Sequence, residues 1–444
     1  MKAPKIIVPP PGPKAREIIE KGEKYLVTTT REPYLVIARM ENDLIEDVDG
    51  NVYIDFAAGI AVANAGHRNK AVVEAIKAQL EKYIHSAPHD FYDDLQYKVA
   101  EKLAEITPGN FDKKVFFGNS GTEAVEAAIK IAKVATGRKR FIAFIGAFHG
   151  RTHGSLSLTA SKPVHQRGLF PTMPGVEHVP YAYCYRCPYR LNPDDCDLWC
   201  AKFIDEVLFQ TYVPPDEVAA IFVEPIQGEG GYIVPRDGFI QELRKIADKY
   251  GILLVADEVQ SGFGRSGKMF AVEHFNTIPD IITTAKSIAN GVPLGATIIR
   301  ADLDFKEPGT HSSTFGGNAL ALAAALANID FIIKEKLPER AARLGEIALK
   351  RLKEAMDEIE IIGDVRGKGL MIGVEIVKKK ETKEPYPEGR NKIAEIALRK
   401  GLVLLPAGRT AIRVAPPLTI TEEHLETGLE ILIESIKEVS KETS

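Results

Sequence analysis

Ala256-Asp257-Glu258-Val259-Gln260, followed by Ile281-Ile282-Thr283-Thr284-Ala285-Lys286-Ser287, is the stretch on which the reading of this chain turns. Asp257 closes an apolar run, Ile252 to Ala256, that follows a helix-like segment. Lys286 stands just past a second such run. A carboxylate and an amine at the ends of neighbouring buried strands are costly to keep in a core. On the plain reading, Asp257 caps a turn and Lys286 opens a surface helix. On the chemical reading the two serve one group held between them. Pyridoxal 5'-phosphate needs a lysine for its Schiff base and a carboxylate to keep its ring nitrogen protonated.

Working outward, further apolar runs flank this pair: Val115 to Phe117, Phe141 to Ile145, Ala219 to Val223 and Ala296 to Ile299. Most are apolar throughout, as strands buried on both faces are. Between them lie helical periodicities at Gln96 to Ile106 and from Gly121 to about Ala135, with Glu126 and Lys130 spaced as an i, i+4 pair. Strand–helix alternation predicts an α/β fold with a large, doubly wound, mostly parallel sheet. Towards the N-terminus, Leu35 to Met40, Leu44 to Asp47 and Val52 to Phe56 predict a small sheet. Beyond about residue 318, two helices (Ala319 to Ile333, Glu339 to Ile359) lead to strands at Leu370 to Val377, Val403 to Leu405 and Ala411 to Val414. A last helix starts after Thr421 as N-cap. The expected division is 1–65 as an arm and part of a small domain, 66–325 as the large domain, and 326–444 as the rest of the small α+β domain. Pro9, Pro10, Pro11 and Pro13 make the first residues an extended arm.

A formal charge of −4 over 444 residues gives no reason to expect a nucleic-acid or membrane partner. No apolar run reaches the length of a membrane span, and no signal peptide is expected, so a cytoplasmic location is the expectation. All four cysteines, Cys184, Cys187, Cys196 and Cys200, fall within an expected insertion at 181–201. Such a cluster can hold a structural zinc, form two disulfides, or stay reduced.

Several strand ends carry chemistry. Gly118-Asn119-Ser120-Gly121-Thr122 opens a helix with free amides and hydroxyls, an anion site or an ordinary N-cap. Phe148-His149-Gly150-Arg151 offers an aromatic platform and a carboxylate clamp. Glu224-Pro225-Ile226-Gln227-Gly228-Glu229 places two acids in a glycine-rich loop. Thr314 lies in a second hydroxyl-rich loop, and is a further candidate phosphate contact. Gly363 to Gly369 does not open a helix, so it is not read as a dinucleotide loop.

In combination, Asn119-Ser120-Gly121-Thr122-Glu123-Ala124, Phe148-His149-Gly150-Arg151-Thr152, Val223 to Glu229, Asp257 to Arg265, Ala285-Lys286-Ser287 and Ser313 to Asn318 resemble the class III aminotransferases in order and spacing. The likeness is nearest to 4-aminobutyrate enzymes, and some proteins of this kind are amino-acid racemases. The resemblance implies fold-type I and a homodimer or dimer of dimers with sites at the dimer interface. It implies amino-acid and 2-oxo-acid substrates such as 2-oxoglutarate, exchanged in a ping-pong cycle. Lys286 is then the Schiff-base lysine, Asp257 the partner of the ring nitrogen and Gln260 that of the ring hydroxyl. Phe148 stacks on the ring with His149 beside it, and Glu224 belongs to the same cofactor site. Ser120, Gly121 and Thr122 hold the phosphate, and Thr314 reaches the phosphate of the other subunit. Glu229 and Arg413 resemble a switch pair that exposes the arginine to an α-carboxylate in one half-reaction only. Arg151 resembles a second carboxylate contact. Ile60 resembles the 4-aminobutyrate enzymes, since ornithine enzymes carry tyrosine there.

Overall fold

The computed structural model describes residues 3–30 and 33–443. Its central sheet has seven strands: β4 (Lys113–Gly118), β5 (Arg140–Phe144), β6 (Val176–Val179), β7 (Val218–Val223), β8 (Leu253–Asp257), β9 (Ile281–Thr284) and β10 (Gly295–Arg300). The N-terminal strands β1 (Ile37–Glu41), β2 (Leu44–Asp47) and β3 (Val52–Asp55) lie in a separate sheet. The central order is β4-β10-β9-β8-β7-β5-β6. Strands β6, β5, β7, β8 and β9 are mutually parallel. β10 runs antiparallel to both β9 and β4, so β4 points the same way as the parallel set. All residues of β7, β8 and β9 are buried, which explains why β7 and most of β8 are apolar, while β9 closes on Thr283 and Thr284. β6, Val-Glu-His-Val, has no such signature and was not legible as a strand.

The remaining strands are β11 (Ile362–Lys368), β12 (Met371–Ile376), β13 (Leu402–Val403), β14 (Leu405–Ala407) and β15 (Ala411–Val414). The expected single strand over Val403 to Leu405 is two strands in different sheets. β13 pairs in parallel with β3, whereas β14 pairs antiparallel with β15 in the order β11-β12-β15-β14. The C-terminal segment therefore completes the N-terminal sheet. The glycine-rich stretch Gly363 to Gly369 falls largely within β11, antiparallel to β12, with no helix opening from it. A helix at Pro387–Arg399 went unread because its first turn is Pro-Glu-Gly.

The N-terminal arm is fastened to the N-terminal sheet of the same chain. Lys5 exchanges two backbone hydrogen bonds with Val52, both 2.8 Å, and the Asn51 side chain accepts from the Ile7 and Val8 amides. Arg265 joins the two halves of the molecule. It is fully buried and donates to the carbonyls of Leu370 and Pro416 and to the Asn64 side chain. Glu126 does not pair with Lys130. It accepts from the Thr152 hydroxyl and the Ser155 amide, capping the next helix. No helix among the described residues is long and apolar enough to cross a membrane.

Candidate active site

The carboxyl ends of β4, β5, β7, β8 and β9 open on one side of the sheet, where doubly wound folds bind ligands. A cavity of about 460 Å³ lies there, lined among others by Ser120, Phe148, Glu224, Asp257, Gln260 and Lys286. Gly121, Thr122, His149 and Arg151 also border it.

One end of the cavity suits an anion. The helix Gly121–Thr136 starts there, and its N-cap Ser120 accepts from the Glu123 amide at 3.3 Å. The amides of the first turn and the positive dipole end face the opening. A Cβ on Gly121 would come within 2.9 Å of Val259, so only glycine lets this turn approach the far wall.

Asp257 is the centre of the other end. It is 4% exposed. Its Oδ2 lies 2.7 Å from His149 Nδ1, and its Oδ1 accepts from the Val259 amide at 3.0 Å. Burial lowers the basicity of His149, but the Asp257 hydrogen bond and the charges of Asp257 and Glu224 outweigh it, and its pKa ends above the ordinary value. The rise makes the protonated ring more accessible than in water, with its Nδ1 set against the Asp257 carboxyl. Glu224 is buried beside the pair and pushed up to about 7, mainly by burial. His149 opposes that rise, Asp257 adds to it, and the amides of Phe148 and Gly228 donate to its two oxygens at 2.9 Å. Burial also pushes the Lys286 amine below its usual value, with Asp257 and Glu224 partly offsetting this. Lys286 has φ of 35°, a strained backbone for a side chain aimed into a site.

Phe148 forms part of the wall. The Arg151 guanidinium carbon sits 5.5 Å from its ring centroid, and the His165 ring meets it edge-on at 5.6 Å. Gln260 Oε1 is buried without a protein partner among the described residues. A flat, aromatic, phosphorylated ring that carries a nitrogen, a hydroxyl and an aldehyde fits this donor set: an anion cradle, a platform, a carboxylate, an amide and a suppressed amine.

Beside the cavity, Glu229 Oε2 is 2.7 Å from Arg413 Nη2. The sequence reading thus brought together Lys286, Asp257, Gln260, Phe148, His149, Glu224, Ser120, Gly121, Thr122 and Arg151, with the Glu229–Arg413 pair alongside. Ile60 and Thr314 do not line the cavity. Ile60 is 47% exposed and lies in a left-handed turn, with positive φ at Ala58, Gly59, Ile60 and Ala61. Such a conformation costs about 1–2 kcal/mol per non-glycine residue. Asp55 steadies the turn by accepting from the Ala57 and Ala58 amides. Thr314 is exposed. Val259 and Leu294 also line the cavity and were missed because apolar lining residues look like core.

All four cysteines are free, so of the three states open to the cluster the two disulfides are not formed. Nor do they form a zinc site. Among the described residues no group of three or more His, Cys, Asp or Glu side chains is disposed to hold a metal. The four border a cavity of only about 20 Å³ packed with Tyr181, Tyr189 and Trp199. Burial, then the neighbouring sulfurs, push Cys200 up to about 12 and raise Cys184, which keeps these thiols protonated. Cys196 instead accepts from Arg236 at 3.3 Å.

Residues 26–436 match the family model for class-III aminotransferases. The alanine/serine racemase of Pyrococcus horikoshii is 44% identical over 99% of this chain and 94% of its own. A probable 4-aminobutyrate aminotransferase of Bacillus subtilis is 41% identical over 87% of this chain and 89% of its own. The crystal structure of an (S)-enantioselective omega-transaminase from Thermomicrobium roseum superposes with a TM-score of 0.89 at 31% identity, covering 96% of this chain and 99% of that one. Enzymes of this family use pyridoxal 5'-phosphate on an α/β fold of type I, and this chain belongs to the class III pyridoxal-phosphate-dependent aminotransferase family.

Proposed function

We propose that this protein transfers the amino group of an ω- or α-amino acid of the 4-aminobutyrate type to a 2-oxo acid such as 2-oxoglutarate. The observation that carries this reading is the closed Glu229–Arg413 pair. An enzyme that alternates between a substrate with an α-carboxylate and one without needs an arginine that can be both offered and masked. A racemase handles one kind of substrate and has no such need.

Ser120, Gly121 and Thr122 would receive the cofactor's phosphate, Phe148 its ring face, Asp257 its ring nitrogen, Gln260 its hydroxyl and Lys286 its aldehyde. Bound there, the cofactor supplies a cationic ring that takes up the electron pair left when Cα loses its proton. Asp257, oriented by its hydrogen bond with His149, would face that ring nitrogen and favour its protonated form. Lys286 removes the Cα proton, since burial leaves more of its amine neutral at working pH. In transfer the same Lys286 amine would hold that proton and hand it back on the cofactor side. Arg151 takes the distal carboxylate, and Arg413 the α-carboxylate once Glu229 yields. The exposure of Thr314, away from its own cavity, supports a homodimer or dimer of dimers in which it serves the neighbouring site.

Racemisation of an amino acid is the second reading, favoured by the likeness to the Pyrococcus enzyme. Single enantiomers incubated with holoenzyme separate the two. A keto product that requires 2-oxoglutarate supports transfer. Loss of optical rotation without keto product overturns it in favour of racemisation.

A further inference from the structure

Lys162 lies between the helix His153–Leu158 and the turn Pro163–His165, and neither the motifs nor the family reading gives it a role. Its Nζ is 2.6 Å from Glu229 Oε1, while Arg413 holds Oε2. Glu229 therefore bridges two cations. Arg413 is fixed independently: its Nε and Nη2 donate to the Pro406 carbonyl at 3.0 and 2.7 Å, and its guanidinium carbon lies 5.8 Å from the Tyr232 ring centroid. Its Nη1 is buried with no partner among the described residues. Arg413 thus stays in place without Glu229 and holds a donor in reserve. Glu229 is not so free. Its side chain is 17% exposed, and off Arg413 it would be a half-desolvated carboxylate. Burial works to raise its pKa, yet the charges of Arg413 and Lys162 and their hydrogen bonds keep it below the ordinary value.

We propose that Lys162 is a positioning residue that retains Glu229 as a carboxylate when Arg413 turns to a substrate α-carboxylate, and so sets the preference between substrates that carry that group and substrates that lack it. This rests on the Glu229–Arg413 exchange proposed above. Without Lys162, Glu229 has a single cation, and leaving it strands a buried charge. Arg413 then stays masked, and only substrates that need Arg413 suffer.

The test compares holoenzyme carrying Lys162→Gln, Lys162→Arg or Glu229→Gln. Single-turnover half-reactions use L-alanine as the α-carboxylate donor and 4-aminobutyrate as the donor without one. For Lys162→Gln, KM for L-alanine is expected to rise about tenfold relative to KM for 4-aminobutyrate, the size of one charge-assisted contact, with kcat little altered. Lys162→Arg should restore the ratio. Calorimetric binding of glutarate, which does not react, should weaken by a similar factor in Lys162→Gln. If Glu229→Gln shifts the ratio and Lys162→Gln does not, the role of Lys162 is overturned while the exchange stands. Equal loss for both donors makes Lys162 merely structural and also overturns it. If no variant shifts the ratio, the exchange itself falls.

Discussion

Replacing His149 by phenylalanine removes the Nδ1–H that lies 2.7 Å from Asp257 Oδ2 and keeps a ring in the same buried space. Both side chains are almost wholly shielded, so the loss is that of a buried charged pair with one member deleted, about 3–5 kcal/mol. The cost depends on pH. The folded pKa of His149 lies above 6.5, the unfolded value, so its protonation stabilises fully below about pH 6.5 and ceases to do so as pH rises through the folded value. Above that point only a neutral imidazole donating to the carboxylate remains, about 1.5–3 kcal/mol. The gap between wild type and His149→Phe should therefore be widest near pH 6 and narrow in alkaline buffer. Urea unfolding of the cofactor-free protein, at one protomer concentration and with unchanged m-values, measures it. Turnover of the reconstituted variant should fall about a hundredfold, since Asp257 is no longer aimed. A gap that is constant across this range, or that widens with pH, would refute the protonated pair.

Two further outcomes are expected. Glu258 is buried and pushed up to about 7 by burial, against the Ser261 hydroxyl and the Ala271 and Val272 amides that donate to it. Raised from 4.5, its protonation favours the folded state at low pH and is lost through pH 7, and carboxyl-¹³C NMR should show a glutamate titrating there and not near 4.5. Gly121→Ala should weaken cofactor binding about tenfold, read by absorbance titration of the cofactor-free protein, because the new methyl presses on Val259 and displaces the anion-binding turn; unchanged affinity would detach that turn from the phosphate.

Most of the large sheet was legible because its central strands are buried on both faces and carry largely apolar runs. The site was legible for the same reason: a polar residue that ends such a run, as Asp257 and Glu224 do, stands out against its neighbours. What escaped was decided by distant contacts. β6 is a strand because β5 offers its free edge. Leu404 divides a run of apolar residues between two sheets, and nothing local marks the break. Glu126 has the spacing to meet Lys130, yet the Ser155 amide and Thr152 hydroxyl take it instead. The cysteine spacing admitted three states, and only packing around the thiols discriminates among them.

The meeting of Glu229 with Arg413 shows how far such contacts reach. Arg413 lies on β15 and stands in register with Gly373 on β12. A Cβ on Gly373 would come within 2.9 Å of the Gly231 carbonyl, so a side chain there would push the 228–232 loop off the small sheet. Gly408 donates its amide to the Glu229 carbonyl at 2.7 Å, and a Cβ on it would strike the Gly230 carbonyl at 2.4 Å. Two glycines of the C-terminal sheet thus make the seat on which a loop of the large sheet sets its carboxylate against an arginine. The pair is a property of neither half alone. The Glu229–Arg413 contact therefore depends on how the small sheet is seated against the large one.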